Sequence, residues 1–297
     1  MTFRSCINSM RLRTLPLSLS GVVTGIFLAA TATKIAIPTA VMLVLTAVSL
    51  QILSNLSNEL GDTLHGTDRA DRQGIRYSLQ NGDTTVAEMK RLIIIMAIVC
   101  CLFGALMVLF SFGTLFALRP LLFLALGAAA IWAATNYTLG KNPYGYRGLG
   151  DVFVLIFFGL VSVLGAAYIC CHTLYWLWLL PACAIGLFSM AVLNVNNIRD
   201  MATDAETRVT VAIRLGSRRA KIYQCLLISL GWACLAAFSF ANFRGWLSLI
   251  YFATTPLFMK HVQGVMKRTG RQLDPMLPLL VLSTFATALL FGIGLFV

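Results

Sequence analysis

Long apolar runs alternate with short polar loops along this chain, and the runs have the length of bilayer crossings. Stretches of about 20 apolar residues occur near 15–33, 38–57, 91–110, 120–138, 151–171, 175–196, 221–240, 245–259 and 276–296. The pattern predicts an all-α polytopic membrane protein of about nine transmembrane helices in one bundle, the eighth being the shortest. Residues 1–297 are expected to form a single integral-membrane domain. Spans 2 and 6 each end in an Asn-rich turn followed by carboxylates and then a basic loop. That recurrence predicts two pseudo-repeated four-helix units plus one helix.

Composition agrees with a membrane setting. Of 297 residues, 59% are hydrophobic and 11% charged, against roughly 25% charged in soluble domains. The 8 cysteines form no C-x-x-C pair. Seven lie in or beside apolar segments, so they read as small buried hydrophobes and not as a disulfide or zinc framework. Arg4, Arg11 and Arg13 before the first run give a signal-peptide look. The run is long and more spans follow, which makes an uncleaved first span the expectation.

The net charge of +12 would suit a nucleic-acid partner, but its distribution argues for no nucleic acid. With loops assigned alternately to two sides, twenty of the 23 basic residues fall on one side and only Lys34, Arg119 and Arg244 on the other. The positive-inside rule makes the rich side cytoplasmic, in the inner membrane. All 11 acidic residues fall on that side as well. Attraction to lipid head groups accounts for bases but not for acids; an active site at the cytoplasmic face accounts for both.

Five of the acids are gathered in two clusters, N-E-L-G-D-T-L-H-G-T-D at 58–68 and N-V-N-N-I-R-D-M-A-T-D at 194–204. A carboxylate costs roughly 2.5–3.5 kcal/mol at a bilayer centre, so acids placed at two span ends point to a shared task. Asn58 and Asp62, like Asp200 and Asp204, are four residues apart. On a helix each pair is separated by about 40° in azimuth and one turn in height, so each points into one cavity. Asn196 lies one turn further back. Asp68 falls off this wheel, and Gly66 marks a helix end from which it would curl back. The chemistry that uses such groups is divalent-metal binding of a diphosphate: Mg²⁺ takes one or two carboxylates together with phosphate oxygens. Asp62, Asp68, Asp200 and Asp204 are the catalytic candidates. Arg72, Lys141 and Arg208 are the expected phosphate contacts, weighed against an ordinary role as positive-inside loop charges. His65, inside the first cluster, is expected to face solvent.

These residues resemble the UbiA superfamily of intramembrane aromatic prenyltransferases, whose pattern is N-D-x-x-D-x-x-x-D after the second span and D-x-x-x-D after the sixth. The second motif stands intact as Asp200 and Asp204. In the first, Glu59 replaces the usual Asp, Gly66 stands at the generic third acid, and Asp68 takes that role two residues later. The G-x-D variant resembles the menaquinone branch, as do R-L-R-T-L-P-L-S-L-S-G at 11–21 and Y-T-L-G-K-N-P-Y-G-Y-R-G-L-G-D at 137–151. The resemblance runs from residue 11 to about 216. It implies Mg²⁺ binding by Asn58, Asp62, Asp68, Asp200 and Asp204. It places a Tyr-x-x-x-Lys diphosphate contact on Tyr137 and Lys141; Asn58, Arg72, Asn196 and Arg208 complete the expected substrate-binding set. Where the family commonly has Gly-Lys after the second motif, this chain has Thr207 and Arg208. The implied partners are a polyprenyl diphosphate, 1,4-dihydroxy-2-naphthoate and membrane lipid. The implied activity is prenyl transfer with decarboxylation.

Three other readings compete. A prenyltransferase of the same fold with another acceptor, such as 4-hydroxybenzoate, differs only in the ring it takes. A cation transporter would place charge near the bilayer midplane, where these spans have almost none. A phosphatidyltransferase uses one long acidic motif, not two clusters about 140 residues apart.

Overall fold

The structure is a computed structural model that describes residues 2–67 and 77–297. Its described residues are helical, joined by short loops: α1 Phe3–Met10, α2 Leu15–Ala30, α3 Ile37–Leu64, α4 Val86–Phe112, α5 Leu118–Asn136, α6 Gly150–Cys171, α7 Leu179–Arg199, α8 Val211–Ala241, α9 Thr255–Lys267 and α10 Met276–Gly294. Eight helical segments among the described residues are long and apolar enough to cross a membrane. The protein is an integral multi-pass membrane protein.

Two departures from the hydropathy reading have local causes. The expected eighth span is helical over 246–267, but it begins as a 3₁₀ segment, Trp246–Thr254, and restarts at Pro256 near the first turn of α9. Lys260, His261, Gln263 and Lys267 break its apolar run, so it is not among the eight. At the other end, the basic leader is a helix. Thr2 and Ser5 cap α1 reciprocally, with the Ser5 amide donating to Thr2 Oγ1 at 3.2 Å, a pairing that satisfies donors left open at a helix start.

The most buried helix is α7. Ile185, Phe188 and Ala191 pack against Leu28 of α2, Val163 of α6, Leu227 of α8 and Phe291 of α10. Lipid is as apolar as these side chains, so association in a membrane rests on close contact and buried hydrogen bonds. Both are present. A Cβ on Gly21 would lie 2.8 Å from the Phe158 carbonyl oxygen, so α2 and α6 approach through the small residues of Gly21-Val-Val-Thr-Gly25. Asn194 Nδ2 donates to the Ala220 carbonyl at 3.0 Å and to Gln224 Oε1 at 2.8 Å. His261 Nδ1 donates to the Met276 carbonyl at 2.9 Å, leaving its Nε2 to accept from the Gln224 amide at 3.0 Å. That chain ties α7, α8, α9 and α10 together, and gives Asn194 a structural task. The predicted four-span interval recurs in packing: α3 lies along α4, and α7 along α8, as the two most extensive helix pairs.

In α6 the middle, Leu155–Gly165, is π-helical. Such wide turns are rare and often accompany ligand-lining positions. Several of its residues line the cavity described next.

Candidate functional site

α3 remains helical past its apolar part and stops where Gly66 takes φ 68°. Asn58 and Asp62 therefore sit on its last turns. A Cβ on Gly61 would lie 2.5 Å from Thr138 Oγ1 and 2.6 Å from the Thr138 carbonyl oxygen. Glycine here admits the loop after α5. That loop then holds the motif: Thr138 Oγ1 donates to the Ser57 carbonyl at 3.0 Å and to Asn58 Oδ1 at 3.2 Å. Tyr146 OH donates to Asp62 Oδ1 at 2.8 Å and lies 3.1 Å from Thr67 Oγ1. Burial pushes the Tyr146 phenol well above its usual range, and the charge of Asp62 adds to the shift.

The second motif is built differently. α7 ends at Arg199, and Asp200 (φ −92°, ψ 5°) interrupts it before a single turn, Met201–Asp204. The Asp204 amide still donates to the Asp200 carbonyl at 2.9 Å, so the two acids stack one turn apart. Arg199 grips Asp200 side-on, Nε to Oδ1 at 2.7 Å and Nη2 to Oδ2 at 2.6 Å. It also reaches Asn196 Oδ1 at 2.9 Å and Asp274 Oδ1 at 3.1 Å.

Arg208 joins the two halves. Its Nη2 donates to Asp204 Oδ2, and its Nη1 lies 3.9 Å from Asp62 Oδ1. Burial works against this guanidinium's charge, but Asp62 and Asp204 outweigh it and hold the proton more firmly than usual. A main-chain link supports the arrangement, the Val209 amide donating to the Tyr146 carbonyl at 3.0 Å. Acids distant along the chain thus meet at one buried cation.

Beside them lies a cavity of about 430 Å³. Its polar end is lined by Asn58, Asp62, Tyr137, Asn196 and Arg208. From there it runs along α5 from Tyr137 to Phe123, roughly 20 Å at the helical rise per residue. Its apolar wall includes Leu126, Phe153, Phe157 and Val161, and Phe153 stacks on Tyr144 with ring centroids 3.9 Å apart. The shape suits an amphipathic ligand with an anionic head and a long apolar tail.

Not every expected residue reaches this cavity. Asp200 and Asp204 are fully buried and engaged by Arg199 and Arg208, so they stand behind its wall. Lys141 is exposed and does not line it. Asp68 and Arg72 lie outside the described residues. Glu59 is buried and accepts from the Leu79 amide at 2.9 Å, anchoring a loop. His65 is exposed, its ring edge-on to Tyr146 at 5.2 Å. Sequence reasoning passed over Thr138, Tyr146, Asp274, Tyr77, and the cavity-lining Arg11 and Arg13. Tyr146 had a signal in the P-Y-G-Y-R-G loop; Asp274, far along the chain, had none.

Among the described residues no three His, Cys, Asp or Glu side chains converge as a ready metal cage. The donor chemistry is nonetheless all oxygen, which suits a hard divalent cation. The site of Arg208 shows where the fold concentrates negative charge from both motifs.

Comparison with known proteins shows the family. Residues 18–283 match the UbiA prenyltransferase family. The chain is 40% identical over 295 residues to the 1,4-dihydroxy-2-naphthoate octaprenyltransferase of Escherichia coli strain K12, covering 98% of this chain and 94% of that one. It is 34% identical to the enzyme of the same description from Mycobacterium tuberculosis, covering 93% of this chain and 91% of that one. The apo structure of a UbiA homologue from Aeropyrum pernix K1 superposes with a TM-score of 0.69 at 15% identity, over 96% of each chain. On the fold, the two motifs and these matches together, the chain belongs to the UbiA prenyltransferase family.

Proposed function

We propose that this chain transfers a polyprenyl group from a polyprenyl diphosphate to 1,4-dihydroxy-2-naphthoate with loss of CO₂, giving a demethylmenaquinol for menaquinone biosynthesis. The observation that carries the reading is one polar mouth, where carboxylates of both motifs meet at Arg208, opening on a long apolar cavity. Near-full-length similarity to relatives described as 1,4-dihydroxy-2-naphthoate octaprenyltransferases favours the naphthoate acceptor over a benzoate. The whole chain 1–297 acts as one catalytic domain in the cytoplasmic membrane, its mouth facing the cytoplasm as the basic loops indicate.

Asn58 and Asp62 from one half and Asp200 and Asp204 from the other would hold Mg²⁺, with Asp68 as a further donor. When bound, the cation neutralises charge developing on the departing diphosphate. Arg208 sits where it can pass from Asp62 and Asp204 to phosphate oxygens. Asn58, Asn196, Tyr137 and Arg72 complete the diphosphate contacts, while Lys141, exposed and off the cavity wall, is not among them. The tail lies along α5 and α6. The allylic C–O bond breaks, and the diphosphate leaves with the electron pair. The electron-rich ring forms the new C–C bond, and the carboxylate departs as CO₂, returning its electron pair to the ring. The Tyr144–Phe153 stack and the apolar wall keep water from the allylic cation, and aromatic faces stabilise it. Holding ring and cation together is the main positional demand.

The test is product analysis by mass spectrometry on purified protein, with 1,4-dihydroxy-2-naphthoate and 4-hydroxybenzoate offered side by side. Prenylated, decarboxylated naphthoquinol formed only with Mg²⁺ is the expected result. Product from the benzoate alone would overturn the acceptor assignment.

A further inference from the structure

A second set of charges lines the cavity without belonging to either acidic motif. Arg11 and Arg13 come from the turn between α1 and α2, and both face the same cavity as Asp62. They are held there by Tyr77. The Arg11 guanidinium lies 3.7 Å over the Tyr77 ring, and Arg13 Nη2 donates to Tyr77 OH at 2.8 Å. The loop carrying Tyr77 is pinned on both sides, by Glu59 through the Leu79 amide and by Ser78 Oγ donating to the Ser5 carbonyl at 2.7 Å. The turn itself is fixed to α3, Asn55 Nδ2 donating to the Met10 carbonyl at 2.8 Å and to Thr14 Oγ1 at 2.9 Å.

Arg11 also adopts φ 50°, ψ 52°, a left-handed conformation that one other non-glycine among the described residues shares. Such backbone is strained for a residue other than glycine; here it caps the C-terminus of α1 and turns the chain toward α2. Most telling are its nitrogens. Arg11 Nε and Nη2 are buried and have no hydrogen-bond partner. Together they form the side-on edge of the guanidinium, the same two-donor fork by which Arg199 grips the Asp200 carboxylate. That fork matches the two oxygens of a carboxylate in spacing and plane.

We infer that Arg11, assisted by Arg13, binds the carboxylate of the aromatic acceptor. The inference rests on the prenyl-transfer reading above, and supplies what that reading lacks. Two anionic reactants must occupy one mouth, and the acidic motifs with their cation account for the diphosphate only. The Arg11 fork is a second anion site, anchored at Asn55, about 10 Å along α3 from Asp62. An acceptor held there keeps its ring beside the diphosphate without sharing its charges. The site therefore selects ring acids over neutral dihydroxy-aromatics.

The test uses purified full-length protein in lipid nanodiscs, with Arg11→Gln, Arg11→Lys and Arg13→Gln. Arg11→Gln should raise KM for 1,4-dihydroxy-2-naphthoate at least tenfold while KM for the polyprenyl diphosphate stays within twofold. Turnover of 1,4-dihydroxynaphthalene, which has no carboxylate, should match wild type. Arg11→Lys keeps the charge but not the fork, and should still raise the acceptor KM about fivefold. It carries the test should Arg11→Gln not fold. Arg13→Gln should show a smaller rise of the same kind. A rise in the diphosphate KM instead, or equal losses with both acceptors, overturns the assignment. Equilibrium binding of 1-hydroxy-2-naphthoate against 1-naphthol gives a readout independent of turnover. Arg11-dependent binding of the acid in a protein that fails to prenylate naphthoate would leave this site standing and remove the reaction. Normal turnover with unchanged acid binding in Arg11→Gln would remove the site alone.

Discussion

The two acidic half-sites occupy matching places at the ends of α3 and α7, yet they are built to different plans. On α3, Asn58 and Asp62 face the cavity, and Thr138, Tyr146 and, at 3.9 Å, Arg208 are among their partners. At the end of α7, Asp200 and Asp204 are fully buried behind Arg199 and Arg208. The first half lines the cavity. The second is paired with guanidinium groups behind its wall. Pairing of this kind also makes the second half part of the framework, because removing one member of a buried ion pair leaves the other uncompensated.

The sharpest way to break this comparison is to remove one acid from each half. Asp62→Ala should lower kcat/KM for prenyl transfer by at least a hundredfold and leave thermal stability in detergent nearly unchanged, since Arg208 keeps Asp204. Asp204→Ala should lose activity as severely and also destabilise the fold by about 3–5 kcal/mol, leaving Arg208 buried with a partner at 3.9 Å only. Equal melting temperatures for the two variants would contradict the distinction. Chelation of divalent cations should abolish turnover in wild type, and Mg²⁺ should restore it. A smaller effect is expected from Tyr146→Phe, which removes one hydrogen bond to a charged group, worth roughly 1.5–3 kcal/mol. About a tenfold fall in kcat, with a loss of stability of no more than that order, is the outcome to measure. Smallest of all, Lys141→Ala should change kcat/KM less than twofold, because the side chain is exposed and off the cavity wall. A large loss there would mean that the loop closes over bound substrate.

How far the sequence disclosed this arrangement differs from residue to residue. Asn58 and Asp62 were legible because α3 stays regular, so the four-residue spacing converts directly into one face. Asp200 and Asp204 kept their stacking, but a break at Asp200 and the reach of two arginines turned them from the cavity, and no periodicity encodes a salt bridge. The spans were readable wherever apolar runs were continuous. The segment 246–267 runs past its expected C-terminal end because its helix continues through Lys260 and His261, held by the buried Gln224–His261 contact. Arg11 and Arg13 read as ordinary positive-inside charges; only tertiary contacts with Tyr77 and α3 reveal where they stand.

The central claim is that both motifs act on one diphosphate, and a double-mutant cycle between Asp62→Asn and Asp204→Asn in kcat/KM tests it most directly. If the two carboxylates serve one site, the double variant should be little worse than either single one, with a coupling of at least tenfold. Losses that simply multiply would place the motifs in separate roles and contradict the account.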